Sequence, residues 1–349
     1  MPSSLSAFIM VCSLVSYQVV ASKRSLFMSK NKFVTGNLSR RNFLGLAGAG
    51  LAGAILPGTA QAAQKGQELA TMLDIESCIN CGQCVEACKR VNGHKFPEPK
   101  KPYPEMFPSR VPVEDWSDRR DVHDRLTPYN WLYIQTSRGE YNGLEFEIHI
   151  PRRCLHCQNP PCSNLCPWGA AVREVNGIVR INDKICLGGA KCKSVCPWLI
   201  PQRQTGVGLY LDLMPRFAGN GVMYKCDRCY DRLALGELPA CIEICPMQLQ
   251  TIGPREEILN QARKLAEDIG GYIYGDQENG GTNTFYVSPV PFSVLNDNII
   301  KGPGQPHLDP VENTMARSEA LTAFLALAPV AGIAAGLLSL KADRNNKEK

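Results

Sequence analysis

Histidine is scarce in this sequence, with five in 349 residues. The five stand apart, at His94, His123, His149, His156 and His307. No Ser-His-Asp, Cys-His or paired-carboxylate set stands out around them, so no independent active site is expected. An excess of basic charge is also missing where it would count. The chain has 38 Lys and Arg against 33 Asp and Glu, but six of the basic residues (Lys23, Arg24, Lys30, Lys32, Arg40, Arg41) fall within residues 1–62, which hold no acid. Setting those six aside leaves 32 basic residues against 33 acidic, and so no nucleic-acid partner follows from charge.

Cysteine is plentiful, at sixteen residues. An even count in a chain that could be exported raises the question of disulfides. Their spacing argues against it. All but Cys12 fall into four tight groups, and clustered thiolates with two- and three-residue gaps are metal ligands. The first group is "CINCGQCVEAC", with Cys78, Cys81, Cys84 and Cys88. The second is "CLHCQNPPCSNLCP", with Cys154, Cys157, Cys162 and Cys166. The fourth is "CDRCYDRLALGELPACIEICP", with Cys226, Cys229, Cys241 and Cys245. The third, "CLGGAKCKSVCP", has only Cys186, Cys192 and Cys196, because Gly189 stands where a further cysteine would be expected.

Two-residue gaps let successive thiolates converge on one iron–sulfur cube. A three-residue step puts the last cysteine a helical turn away, where it can serve another cube, and proline follows it in two-cluster ferredoxins. Zinc is the competing reading. Zinc ribbons use paired C-x2-C knuckles and do not need the terminal Cys-Pro.

The flanking sequence fits a ferredoxin-like α+β fold. "AAVREVNGIVRI" reads as two strands around Asn176-Gly177, between groups two and three. "GPREEILNQARKLAEDIGG" reads as a helix with Pro254 in its first turn and Ile258, Leu259, Ala262, Leu265, Ala266 and Ile269 on one face. Residues 89–153 form an insertion, irregular at first and then alternating as two strands in "WLYIQTS" and "LEFEIHI". It could be a plain loop or a docking surface carrying Tyr103, Phe107 and Trp116. Residues 288–310 read as an extended arm, which continues to residue 319.

Both ends carry targeting signals. "SRRNFLGLAGAGLAGAILPGTAQAAQ" resembles a twin-arginine export leader, with cleavage expected after Ala62. That route carries folded proteins, which suits clusters inserted before export. Residues 1–27 are unusual for such a leader, and translation from Met28 would make Cys12 irrelevant. Residues 320–340 are apolar and uncharged, long enough for a transmembrane helix. Lys341, Arg344, Lys347 and Lys349 follow it, which predicts a cytoplasmic C-terminus and a periplasmic body.

The four groups in this order resemble the four-cluster ferredoxin-like subunits of membrane-bound bacterial oxidoreductases. These include the beta subunits of formate dehydrogenase and nitrate reductase and the electron-transfer subunit of a periplasmic nickel–iron hydrogenase. "KCDRCYDRLALGELPACIEICP" is the most specific stretch, and "GGTNTFYV" is most similar to the formate dehydrogenase and hydrogenase members. The resemblance implies two tandem pseudo-symmetric double-cluster modules spanning residues 63–287, plus one C-terminal transmembrane helix.

It also implies that ligands are shared between groups. One cluster would take Cys78, Cys81, Cys84 and Cys245, and a second Cys226, Cys229, Cys241 and Cys88. A third would take Cys154, Cys157, Cys162 and Cys196. The fourth would have only Cys186, Cys192 and Cys166, with Gly189 at the missing-ligand position. Three 4Fe–4S clusters and one 3Fe–4S cluster follow, although an outside ligand at Gly189 or an empty site are alternatives. Nitrate reductase beta subunits have a tryptophan at this position, so glycine departs from their pattern.

The implied function is an electron relay between a periplasmic catalytic subunit or multihaem cytochrome and a quinone-reactive integral membrane subunit. The rival is a self-contained reductase using an open coordination site near Gly189.

Overall fold

The computed structural model describes residues 67–106, 109, 112–213 and 221–316. The leader, the alternative start at Met28, Phe107 and the expected span 320–340 lie outside the described residues. Among the described residues, no helix is long and apolar enough to cross a membrane.

In chain order the elements are β1 (Leu69–Asp74), α1 (Gln83–Asn92), β2 (Tyr133–Tyr141), β3 (Leu144–Arg152), α2 (Pro161–Asn164), β4 (Ala171–Arg173), β5 (Val179–Ile181), α3 (Lys191–Val195), β6 (Gln202–Gln204), α4 (Leu209–Leu213) and β7 (Val222–Tyr224). Then come α5 (Tyr230–Ala234), α6 (Ala240–Glu243), β8 (Gln250–Pro254), α7 (Arg255–Asp268), β9 (Tyr272–Tyr274), β10 (Thr284–Ser288) and α8 (Phe292–Asp297).

The largest sheet has the order β8-β1-β10-β9, with β1 and β10 parallel and the outer pairs antiparallel. Side chains alternate across a strand, so the sheet has two distinct faces. Ala70, Phe285 and Val287 face α7 and pack on Ile258, Leu259, Ala262 and Ala266. Leu73 and Tyr286 join the core that holds the cysteines. Burying an aliphatic side chain such as Ile258 contributes about 1.5 to 3 kcal/mol. The sheet is thereby backed on one side by a packed helix and on the other by the cysteine-bearing loops.

Three hairpins complete the fold. In β2–β3, Tyr141 pairs with Leu144 across Asn142 and Gly143, whose φ values of 54° and 77° suit a two-residue turn. The β4–β5 hairpin turns at Asn176-Gly177, as the sequence indicates. A Cβ on Gly177 would meet Asn283 Nδ2 at 2.5 Å, and the Leu69 amide donates to the Asn176 carbonyl at 2.9 Å. The turn is therefore pinned against the main sheet. The third hairpin joins β6 to β7.

Two expectations need correction. Residues 288–310 are not simply an extended arm. They contain α8, and Val290, Phe292, Leu295, Ile299 and Leu308 are buried in the main core, so the body continues beyond residue 287. Pro291 starts that helix and the apolar side chains pull it onto β2, where Ser137 Oγ donates to the Leu295 carbonyl at 3.0 Å. The insertion also begins in order, because α1 continues to Asn92. Further on it packs against β6: the Thr205 amide donates to the Glu114 carbonyl at 2.9 Å, and the Trp116 amide to Gln204 Oε1 at 2.8 Å.

Candidate metal centres

Groups one, two and four open with Cys-x-x-Cys loops of one design. The residue before the second cysteine is left-handed in each: Asn80 (φ 55°), His156 (φ 52°) and Arg228 (φ 57°). The Arg228 amide donates to Cys226 Sγ at 3.3 Å, and the Asn80 amide likewise reaches Cys78. Left-handed turns of this kind gather backbone N–H groups into an anion-binding concavity.

The third group keeps that turn. Gly188 (φ 65°) stands where Asn80, His156 and Arg228 stand in the other loops, and its amide hydrogen-bonds Cys186. Gly189 itself is exposed and not left-handed, and a Cβ there would meet nothing within 4 Å. The backbone therefore does not require glycine at 189.

The Cys-Pro pairs close each later group with a second shared turn. Gly169, Leu199 and Gln248 donate to the carbonyls of Cys166, Cys196 and Cys245 at 3.3, 3.0 and 3.1 Å. Proline holds the second position of each turn, where its fixed φ is favourable. The first group has no proline, because Cys88 lies within α1 and the helix runs on.

None of the fifteen cysteines among the described residues forms a disulfide. Cys78, Cys81, Cys84 and Cys245 line one cavity. Cys88, Cys226, Cys229 and Cys241 line a second. Cys154, Cys157, Cys162 and Cys196 line a third. Cys84 and Cys88 lie one turn apart on α1 yet open into different cavities. Cys166, Cys186 and Cys192 lie close enough to feel one another's charge.

Neighbouring cavities adjoin through particular cysteines. Cys84 senses Cys241, Cys226 senses Cys154, and Cys192 senses Cys162. At one end Cys81 is exposed, and at the other Gly189 is; Cys88, Cys226, Cys229 and Cys241 are all buried.

Among the described residues, the donor set of the three cavities, four cysteine sulfurs each and no histidine, fits an iron–sulfur group. Arg153 Nη2 is buried without a partner and Arg153 lines the second cavity, leaving a donor that a sulfide could satisfy.

Electrostatics agree. Burial pushes the thiols of Cys84, Cys162 and Cys226 up to about 12, and that of Cys196 up to about 11. Burial also raises Cys88, Cys157 and Cys192, and neighbouring thiolates add to the effect. Thiolates packed this densely need a cationic group among them. Burial opposes the charge of Lys225, but the thiolates of Cys154, Cys162 and Cys226 more than offset it and raise its pKa.

Two family models, each described as a 4Fe-4S dicluster domain, match residues 76–170 and 146–255. A protein of Nitratidesulfovibrio vulgaris is 32% identical over 273 residues, which cover 75% of this chain and 67% of that protein. The chain belongs to the 4Fe–4S dicluster family of iron–sulfur electron-transfer subunits. This iron–sulfur subunit is also similar to the hydrogenase-2 operon protein HybA of Escherichia coli, at 29% identity over 326 residues, 81% of this chain and 88% of HybA. The iron–sulfur subunit of the nitrate-inducible formate dehydrogenase of Escherichia coli is 29% identical over 238 residues, 63% of this chain and 68% of that subunit.

As a member of that family, the iron–sulfur subunit has ferredoxin-like dicluster domains in tandem, binds 4Fe–4S clusters and transfers electrons within an oxidoreductase. Its own residues shape the cysteine-bearing loops and cavities. Asn92 Nδ2 lies 3.7 Å from both Cys88 Sγ and Cys229 Sγ. Arg203 Nη1 donates to the Gly188 carbonyl at 3.1 Å, and its Nη2 to the Pro112 carbonyl at 2.8 Å. The insertion thus buttresses the Gly188 turn, a role the sequence reading did not assign to it. Nor did that reading single out Asn92, Arg203, Arg153 or Lys225. For the last two a signal was present, because Arg153 directly precedes Cys154 and Lys225 directly precedes Cys226.

Proposed function

We propose that this iron–sulfur subunit is a relay of four clusters, three 4Fe–4S and one 3Fe–4S, carrying single electrons between two protein partners. The observation that carries this reading is the sorting of twelve cysteines into three separate cavities, each lined by four. The proposed ligand sets are Cys78, Cys81, Cys84 and Cys245; Cys88, Cys226, Cys229 and Cys241; Cys154, Cys157, Cys162 and Cys196; and Cys166, Cys186 and Cys192. The adjoining pairs Cys84–Cys241, Cys226–Cys154 and Cys162–Cys192 support one continuous order from the first set to the last. When bound, the clusters supply the one-electron carriers; the protein fixes their order and buries all four ligands of the second, while Cys81 of the first set and Gly189 beside the fourth are exposed.

The three-thiolate set suits three irons, because each thiolate holds one iron. The free space and solvent exposure at Gly189 also favour a second reading of that site, in which an outside ligand caps a fourth iron.

The partners proposed are a periplasmic catalytic subunit or multihaem cytochrome and a quinone-reactive membrane subunit. The names of HybA and of the formate dehydrogenase subunit support a respiratory oxidoreductase. The paired arginines Arg40 and Arg41, and the uncharged run 320–340, support export and a single-pass anchor with the body in the periplasm.

Anaerobic titration of the isolated subunit with a one-electron reductant tests the relay. The expected result is uptake of about four electrons per chain, one per cluster, with no turnover of formate, hydrogen or quinone. Turnover by the isolated chain would contradict the relay and favour a self-contained reductase.

A further inference from the structure

Two buried cationic side chains touch cysteine sulfurs between successive cavities, and neither is needed to hold iron; a third, Arg228, lines the second cavity but turns its guanidinium to Leu69, Asn283 and Thr284. Arg153 lines the cavity of Cys88, Cys226, Cys229 and Cys241. Its Nη1 lies 3.0 Å from Cys241 Sγ and donates to Gln250 Oε1 at 2.6 Å. Gln250 in turn lines the cavity of Cys78, Cys81, Cys84 and Cys245. Arg153 therefore sits at the junction of the first and second cavities.

Lys225 lines the cavity of Cys154, Cys157, Cys162 and Cys196. Its Nζ lies 3.4 Å from Cys154 Sγ and 3.2 Å from the carbonyl of Cys226, whose side chain belongs to the second cavity. A further bond to the Val179 carbonyl fixes the ammonium. Lys225 sits at the junction of the second and third cavities.

Both side chains are more than nine-tenths buried. Among the described residues, their partners are sulfurs and neutral oxygens, and neither pairs with a carboxylate. An unpaired buried charge is costly unless an opposite charge answers it. Among the described residues, the acid that lines the second cavity, Asp227, is paired with Lys95 at 2.7 Å, so the anions left to answer the two cations are those of the thiolate-bound group on either side. A fixed cation favours the more negative, reduced state of such a group and so raises its potential, with burial preserving the effect against screening. Among the described residues the fourth set has no equivalent: Arg203, which reaches its loop, is paired with Glu114 at 3.2 Å.

We propose that Arg153 and Lys225 are tuning residues for the relay, each raising the reduction potentials of the two clusters that flank it. This rests on the ligand sets proposed above. Arg153 acts on the first and second clusters, Lys225 on the second and third, and neither acts on the fourth. The second cluster, between both cations, receives the largest lift.

The test is a potentiometric titration of the complete subunit followed by electron paramagnetic resonance, for the unaltered protein and for Arg153→Gln and Lys225→Gln. In each variant two of the four signals should move to lower potential, by about tenfold in the oxidised-to-reduced equilibrium, which is about 59 mV for one electron. One signal should move in both variants, two in one variant each, and one in neither. That pattern identifies the junctions without prior assignment of signals. Unmoved potentials in both variants, or equal shifts of all four signals, would overturn the proposal. Should a glutamine variant fail to assemble, Arg153→Lys and Lys225→Arg displace the charge while keeping it. Smaller shifts confined to the same pairs support the proposal, and shifts in none or in all overturn it. Failure of the ligand sets would be distinct, because it would appear in the unaltered protein as fewer than four cluster signals or a low iron count.

Discussion

At Cys226–Cys229 the chain turns through left-handed Arg228, sends that residue's amide to the Cys226 sulfur, and ends on a buried thiol. At Cys186–Gly189 it turns through left-handed Gly188, sends that residue's amide to the Cys186 sulfur, and ends on an exposed glycine. The two loops share the left-handed turn and the N–H to sulfur bond, and differ at the last residue: Cys229 is itself left-handed and carries a thiol, whereas Gly189 is not left-handed and carries none. The cluster-binding shape is therefore made by one left-handed residue and one N–H to sulfur bond, and it survives without the second thiolate. The surroundings differ as well. The first loop is walled in by Asn92, Arg153 and the main sheet, whereas the second is held from behind by Arg203 and opens to solvent at Gly189.

The strongest way to break this comparison is to make the buried loop imitate the open one. Cys229→Gly suits the backbone, since Cys229 already has a φ of 51°. No solvent ligand reaches the buried cavity, so the expected loss is a whole cluster, about four irons per chain, measured by iron analysis. A clean loss of only one iron would mean that burial plays no part in the difference.

Iron-free protein exposes the cost of gathering the thiols. The thiols of Cys84, Cys162 and Cys226 are pushed up to about 12, against an ordinary value of about 8.5. A raised value means that the folded chain holds protons the unfolded chain releases. Their contribution to stability is then complete below about pH 8.5 and is lost as pH rises toward 12. The urea midpoint of the iron-stripped subunit should fall steeply across that window, and much less with clusters bound. An iron-free midpoint that stays level from pH 8 to 11 would contradict the burial account.

Gly189→Cys works in the opposite direction. The added Cβ meets nothing within 4 Å, so the fold should be unchanged while the fourth site gains about one iron. The oxidised paramagnetic signal expected of a three-iron cluster should disappear with it. Gly188→Ala should have the smallest effect. At a φ of 65° a Cβ costs about 1 kcal/mol, lowering Tm by about 2 to 4 °C and leaving the iron count as it was.

Much of this comparison was legible from local sequence. The Cys-x-x-Cys spacing, the Cys-Pro closures, the Asn176-Gly177 turn and the apolar face of α7 are all short-range patterns, and each lies where those patterns indicate. The main sheet was not legible. Its β1–β10 ladder joins Thr71 to Thr284, and β1, covered on both faces, lacks the alternation of a half-exposed strand. The helix within residues 288–310 was hidden by flanking prolines that read as extended chain. The missing thiolate was visible, but not the fact that Gly188 preserves the turn, because left-handed Asn80, His156 and Arg228 have no side-chain feature in common with it.

The central claim is that the departure at Gly189 is a loss of one ligand from an otherwise complete relay, with Cys166, Cys186 and Cys192 holding three irons. Electron paramagnetic resonance of the complete subunit oxidised in air, with iron counted on the same sample, tests it most directly. The account predicts a sharp oxidised signal near one spin per chain and about fifteen irons, three cubes of four and one set of three. A silent spectrum with about sixteen irons would mean that a fourth iron is capped from outside, and a silent spectrum with about twelve would mean that the fourth site holds no cluster; either result contradicts it.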